Sequence, residues 1–448
     1  MKSLRSAALA VGAMAIAVSL ALTGCTPSSN AGTSTKAVSQ DEIDKALNTE
    51  TTLNYWTWVP DIQNEVDLFE KKYPKIKVNI INNGDATKQY VKLRAAVKAG
   101  KGVPDVSQIG YDYLPSFTQT KSLADLTPYG ADKLESKFVA GIWSQVKQNG
   151  GIWGIPQDSG PMGTLYRTDL FDKAGVEAPK TWDDFATAAE AVKSKTGAYI
   201  TNLPGNDMPQ MLGFFSQAGA TPFTYDGKKT VSVDVDSSTN QKVVSYWQDL
   251  IQKDLVSTSA DFTDEWYQGL SRGQYATWLT AAWGPTFLQG SAKNTSGKWA
   301  ASELPQWKSG DSVSANWGGS SNAVMAASDK QIAAYELAKF INSDPSSTIK
   351  LANEQFLYPT TKSTLADPSF TDQKSEFYGG QQVNKFFAET SKTVPQNQQW
   401  LPFEDYVNSS YNDTLGKAIA DKADLKPALA AWQKQIVSYA KQQGFTVK

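Results

Sequence analysis

Leu53-Asn-Tyr-Trp56, Lys75-Ile-Lys-Val-Asn-Ile-Ile81 and Val103-Pro-Asp-Val-Ser-Gln-Ile-Gly110 read as three successive strands. Between the first two, Pro60-Asp61 opens a helix with Ile62, Val66, Phe69 and Tyr73 at helical spacing, and Pro74 stops it. Between the second and third, Asn83-Gly84-Asp85 turns into a helix from Ala86 to Ala99, ended by Gly100-Lys-Gly102. Repeated strand–helix–strand units predict a mostly parallel sheet covered by helices. In such sheets ligands bind beyond the carboxyl ends of the strands. That rule puts Thr57, Trp58, Asp61, Asn83, Asp85, Tyr111 and Asp112 on one rim.

The same alternation continues downstream. Gly150-Gly-Ile-Trp-Gly-Ile-Pro156 reads as a turn and short strand, and Thr164-Leu-Tyr166 as the next strand. Asp169 to Ala174 reads as a helix stopped by Gly175. Thr181 with Asp184 three residues on is a capping-box variant that starts another helix. Trp182 and its neighbouring acids therefore have a structural explanation. Trp143, Trp247 and Trp432 lie on helical patterns and read as core.

Composition removes whole classes of chemistry. Histidine is absent, which excludes His-metal sites, Ser-His-Asp triads and His general bases. One cysteine excludes an intrachain disulfide and a thiolate zinc site, and no cofactor is expected. Lys plus Arg is 43 against 45 Asp plus Glu, so there is no basic footprint for nucleic acid. No Gly-rich phosphate loop is present. In contrast, 14 Trp, 18 Tyr and 18 Phe are enough to build both a core and a stacking site.

The amino terminus reads as an export signal. Lys2 and Arg5 precede an apolar run from Ala7 to Leu22, short for a membrane span. Leu22-Thr-Gly-Cys25 resembles the bacterial lipobox. That resemblance implies cleavage before Cys25 (segment 1–24 removed) and a diacylglycerol on its sulfur. Two or more acyl chains anchor stably where one does not. Residues 25–50, rich in Ser, Thr, Asn and Ala, read as a flexible tether, with a short helix possible from Asp41 to Leu47.

Several segments resemble bacterial extracellular solute-binding proteins of the maltose-binding type, the sugar receptors of ABC importers. They are Trp56 to Val78, Pro104-Asp-Val106, Gly151-Ile-Trp-Gly-Ile-Pro156, Glu265 to Ala276 and Ser328 to Pro345. Most specific is Leu165-Tyr-Arg-Thr-Asp-Leu-Phe-Asp-Lys-Ala-Gly175 with Pro179-Lys-Thr-Trp-Asp-Asp-Phe185. The resemblance implies an α/β two-lobe fold of the periplasmic-binding-protein kind, with discontinuous domains, a hinge and an inter-lobe ligand cleft. Crossings would fall near Gln157 to Gly163, Ser309 to Trp317 and Phe356 to Thr361. The lobes would be 51–158 plus 312–357 and 159–311 plus 358–448. The implied partners are an oligosaccharide, the transmembrane subunits of an ABC permease, and the outer face of a cell membrane reached through lipid on Cys25. No catalysis is implied, and a monomer is expected.

A sugar site pairs flat aromatics with carboxylate and amide acceptors. The expected ligand residues are Trp58, Asp61, Asp85, Tyr111 and Asp112 on the first rim, and Asp158 at the first crossing. To these are added Trp283 before Gly284-Pro285, Trp317 and Gly318 at the second crossing, and Trp400 late in the chain. Asp61 also reads as a helix-opening acid. Two other readings stay open. One is a glycosidase, which needs only paired carboxylates. The other is the same receptor with a non-sugar ligand, including a cation held over aromatic faces.

Overall fold

The computed structural model describes residues 37–84 and 86–448. The lipobox, Cys25 and Asp85 lie outside the described residues. Ser39 caps the helix Gln40–Leu47 in a full capping box with Glu42, and Leu47 is buried in the core. The folded body therefore begins before residue 50, and the expected tether is shorter than 25–50. No helix among the described residues is long and apolar enough to cross a membrane.

The strands Thr51–Thr57, Ile76–Asn82 and Val106–Gly110 form as expected, with the first pairing in parallel with each of the other two. The sheet they belong to is not mostly parallel. It has seven strands and continues through Asn316–Val324 and Ile155–Arg167 to Thr277–Ala281 and Trp299–Ser302. Every pairing in that continuation is antiparallel. The reason is topological. Ile155–Arg167 carries the chain out of the first half of the molecule and Asn316–Val324 brings it back, so the two run in opposite directions side by side. The two strands expected near Pro156 and Thr164 are one continuous strand of 13 residues.

The second half is built from short strands and long helices. Thr201–Asn202 pairs in parallel with Val256–Ser257, and a bridge between Tyr199 and Tyr275 attaches both to Thr277–Ala281. The helix Trp182–Thr196 is held by the expected box of Thr181 and Asp184. Buried apolar side chains form two cores. The first runs from Leu53 and Tyr55 through Trp143, Trp266 and Trp299 to Phe387. The second runs from Met162 through Trp182, Trp247 and Trp317 to Trp432. Trp283 packs against both.

Candidate functional site

The first face of the site lies at the carboxyl ends of the parallel strands, as the strand-end rule requires. A relay of buried amides and hydroxyls fixes it. Thr57 Oγ1 and the Trp58 amide both donate to Gln108 Oε1, at 2.7 and 3.1 Å. Gln108 Nε2 donates to Ser320 Oγ at 2.9 Å, and Ser320 donates its hydroxyl and amide to Asp158 Oδ1 at 2.5 and 2.9 Å. Tyr111 Oη closes the relay by donating to the Asp158 carbonyl at 2.8 Å. Trp58, Tyr111 and Asp158 are thus brought together through both crossing strands. Gly319 makes this possible: its φ is +101°, and a Cβ there would lie 2.7 Å from the Tyr111 ring. The pairing register shifts at this point, a bulge of the kind that aims side chains at a site.

Asp112 follows on the 3-10 turn Tyr111–Tyr113. Its carboxylate folds back over Gly110, where a Cβ would meet Asp112 Oδ1 at 2.5 Å. Burial pushes the Asp112 carboxyl up to about 7, outweighing the amides of Asp112 and Tyr113 that favour the charge. Burial likewise raises Asp158 to about 6 against the two donors from Ser320. Trp58 meets Tyr90 edge to face at 6.0 Å. Asp61 does not begin a helix. It stands in the left-handed region at φ +51°, the helix starts at Gln63, and the Asp61 carbonyl accepts from Gln355 Nε2 at 3.2 Å.

The second face is aromatic. Trp283 donates its Nε1 to the Trp317 carbonyl at 3.1 Å, and the two rings meet edge to face at 4.9 Å. Gly318 lies against the Trp283 indole. Phe262 lies over this pair, 6.0 Å from Trp283 and 6.2 Å from Trp317, and also contacts Trp266, Tyr267 and Trp278. Its ring is 42% exposed and its φ is +57°. A bulky residue held there costs about 1–3 kcal/mol and marks functional loops more often than neutral ones. Sequence reading found Trp283, Trp317 and Gly318 but missed Phe262. Phe262 follows the short strand Val256–Ser257 by a loop, and a strand of two residues leaves no pattern in the sequence to mark it.

Two buried acids lie beside this shelf: Asp261 directly precedes Phe262, and Asp207 is coupled to it. Asp207 caps the helix Met208–Gln217 through the Gln210 amide at 3.0 Å. It faces Asp261, which accepts from Asn206 Nδ2 at 3.0 Å. Burial first and the Asp261 charge second hold Asp207 well above the carboxylate range, and the two carboxyls lie within hydrogen-bonding reach of each other. Burial raises Asp261 itself to about 6. The Tyr411 hydroxyl next to them is fully buried without a hydrogen-bond partner. Glu404 is 1% exposed, and neither of its carboxylate oxygens makes a well-formed hydrogen bond. Burial first and the Asp112 charge second hold it well above the carboxylate range.

Trp400 is placed differently from the other aromatics. It is buried in the second core, and its Nε1 donates to Gln145 Oε1 at 2.8 Å. The structure thus ties it to the helix Ala140–Val146 rather than to the shelf. Glu404, four residues on, is the late residue that lies near Asp112.

The site therefore has two parts: a hydrogen-bonded rim with Trp58 and Asp112, beside which Glu404 is buried, and an aromatic shelf with Asp261 at its edge. Such a pairing suits a ligand with flat apolar faces and many hydroxyl donors. The pattern of bacterial extracellular solute-binding proteins matches residues 55–347. The arabinooligosaccharide-binding protein of Bacillus subtilis (strain 168) is 30% identical over 303 residues, covering 65% of this chain and 68% of that protein. Among solved structures, the ABC transporter associated binding protein from B. animalis subsp. lactis Bl-04 in complex with β-1,6-galactobiose superimposes with a TM-score of 0.75 at 33% identity, covering 90% of this chain and 100% of the other. The galacto-N-biose-/lacto-N-biose I-binding protein of Bifidobacterium longum, in complex with lacto-N-biose, gives 0.77 at 25% identity, covering 89% and 98%.

Proposed function

Since the chain belongs to the bacterial extracellular solute-binding proteins, two-lobe receptors that bind rather than transform their cargo, we propose that it captures an oligosaccharide between its two faces and delivers it to the transmembrane subunits of an ABC permease. The observation that carries the reading is the shelf of Phe262, Trp283 and Trp317, with the buried acid Asp261 at its edge and Glu404 buried beside the first rim. Sugar C–H faces stack on the rings, and sugar hydroxyls donate to Glu404 and Asp261. The relatives named for arabinooligosaccharide, β-1,6-galactobiose and lacto-N-biose support a carbohydrate cargo.

In this reading the lobes are 51–158 with 312–357 and 159–311 with 358–448, and they close about the crossing strands. The first core reaches across that line into residues 266–301 and 365–388. Closure gives the permease a distinct shape to recognise, and the ligand favours it by binding the closed state better. Lipid on Cys25 holds the receptor at the outer face of the membrane, as a monomer that presents both lobes.

The test is a thermal-shift screen of the body started after Cys25, against mono- and oligosaccharides. A ligand at about 100 times its Kd adds about 2.7 kcal/mol, a shift of a few degrees in a chain this long. A shift confined to one glycan series supports the reading. No shift with any sugar contradicts it, and a shift with amines instead would assign the acids to a cation.

A further inference from the structure

A cavity of about 650 Å³ opens beside the Trp283 turn, away from Glu404 and Asp261. One wall is the helix Gly284–Ser291, through Pro285 and Gln289. The facing wall is the end of the helix Pro345–Glu354 and the chain after it, through Asn353 and Phe356. Its floor is rigid. Tyr378 Oη donates to the Pro285 carbonyl at 3.0 Å, Tyr358 Oη donates to the Asn384 carbonyl at 3.1 Å, and Phe370 meets Tyr358 edge to face at 5.6 Å.

Phe356 is the unusual residue. It is 59% exposed and held at φ +56°, the same strained backbone as Phe262. These two are the aromatic residues among the described non-glycine positions with positive φ. Phe262 is surrounded by other rings, but no aromatic contact is made by Phe356 among the described residues. A strained loop that presents a bare ring to a cavity has kept a stacking surface without a partner.

The chain links this cavity directly to both faces already described. Ala282 lines it and directly precedes Trp283. On the other side Gln355, next to Phe356, donates to the Asp61 carbonyl on the first rim. Its volume falls within the range of small-molecule sites, and its lining mixes one free ring with amides from Gln289, Asn353 and Gln373.

We propose that this cavity is a second carbohydrate subsite with Phe356 as its platform. The ligand is then an oligosaccharide longer than a disaccharide, running from the Trp283 shelf into the cavity. The inference rests on the carbohydrate reading above. It is tested by titration calorimetry with two series, β-1,6-galacto-oligosaccharides and arabino-oligosaccharides of two to four units, against the body started after Cys25. Phe356→Gly is the main variant, because glycine tolerates this φ and relieves the strain. Gln289→Ala probes the opposite wall.

In the wild type, affinity should rise at least tenfold from the two-unit to the four-unit member of the series that binds. In Phe356→Gly the four-unit sugar should fall to the affinity of the two-unit sugar, with no loss of melting temperature, and Gln289→Ala should weaken the longer sugar alone. Equal affinity for short and long members in the wild type, or an unchanged length dependence in Phe356→Gly, overturns the subsite while leaving the carbohydrate reading in place. Binding of no member of either series removes the carbohydrate reading and this inference with it.

Discussion

The two faces of the site are held by different forces. On the first, Thr57, Gln108, Ser320 and Asp158 satisfy one another, so the rim is fixed before any ligand arrives. On the second, ring edges hold Phe262, Trp283 and Trp317, and the buried Tyr411 hydroxyl beside Asp261 has no hydrogen-bond partner. Hydrogen bonds among protein groups leave little to offer a ligand. Unpartnered buried acceptors gain most when hydroxyls arrive, since each orphan otherwise costs about 1–3 kcal/mol. On the function proposed above, the first face would orient the ligand and the second would supply most of the affinity.

The largest expected effect tests that division. Trp283→Ala removes a platform and the donor to the Trp317 carbonyl, and should weaken glycan binding about a hundredfold, ~3 kcal/mol, by titration calorimetry. Trp58→Ala on the first face should weaken it only about tenfold. Equal losses would erase the contrast.

Glu404→Gln should separate stability from function. It removes a buried acid near Asp112, so the ligand-free melting temperature at pH 8 should rise by several degrees, while glycan affinity falls about tenfold. A drop in both would mean that Glu404 has a partner that stabilises the empty fold.

The pH dependence comes next in size. Asp158 and Asp261 are raised to about 6 and Asp112 to about 7, each by burial. Each holds its proton more tightly in the native protein than in the unfolded chain. Their stabilisation is complete below the ordinary carboxylate range and is lost as pH rises through about 6 and then about 7. Glu65, buried and raised to about 7, adds to the same trend. The ligand-free melting temperature should fall from pH 5 to pH 8, and Asp112→Asn should flatten that slope. Acids with lowered values, such as Asp226 at about 2, act below this window.

Smaller effects sharpen the placement of Trp400. Trp400→Phe leaves Gln145 Oε1 without its donor and should cost about 1–2 kcal/mol in denaturant unfolding, with glycan affinity unchanged. Smallest of all is Asp405→Asn. It breaks the partly exposed pair of Arg94 and Asp405 at 2.6 Å, and should change stability by less than about 1 kcal/mol.

The contrast between the faces also explains what the sequence disclosed. The first face follows strands of five to seven residues whose patterning and turn residues are plain, so Trp58, Tyr111 and Asp112 could be placed at strand ends. The second face follows two-residue strands that carry no periodic signal, and Asp207, Asp261 and Phe262 passed unnoticed. Glu404 was hidden for another reason: in the first turn of the helix Glu404–Asp413 it looks like an ordinary helix-opening acid. Trp283 and Trp317 were legible only through family resemblance. The antiparallel half of the main sheet was missed because strand direction depends on where the chain crosses between halves, which local patterning does not encode.

The central claim is that the buried acids Asp261 and Glu404 are acceptors for sugar hydroxyls. The most direct measurement is a crystal structure of the body with the glycan that raises its melting temperature most. The account predicts a sugar ring against Trp283 and Phe262, and a hydroxyl about 2.7 Å from a Glu404 carboxylate oxygen. A glycan bound elsewhere, or no sugar hydroxyl within reach of Glu404 in the complex, would contradict it.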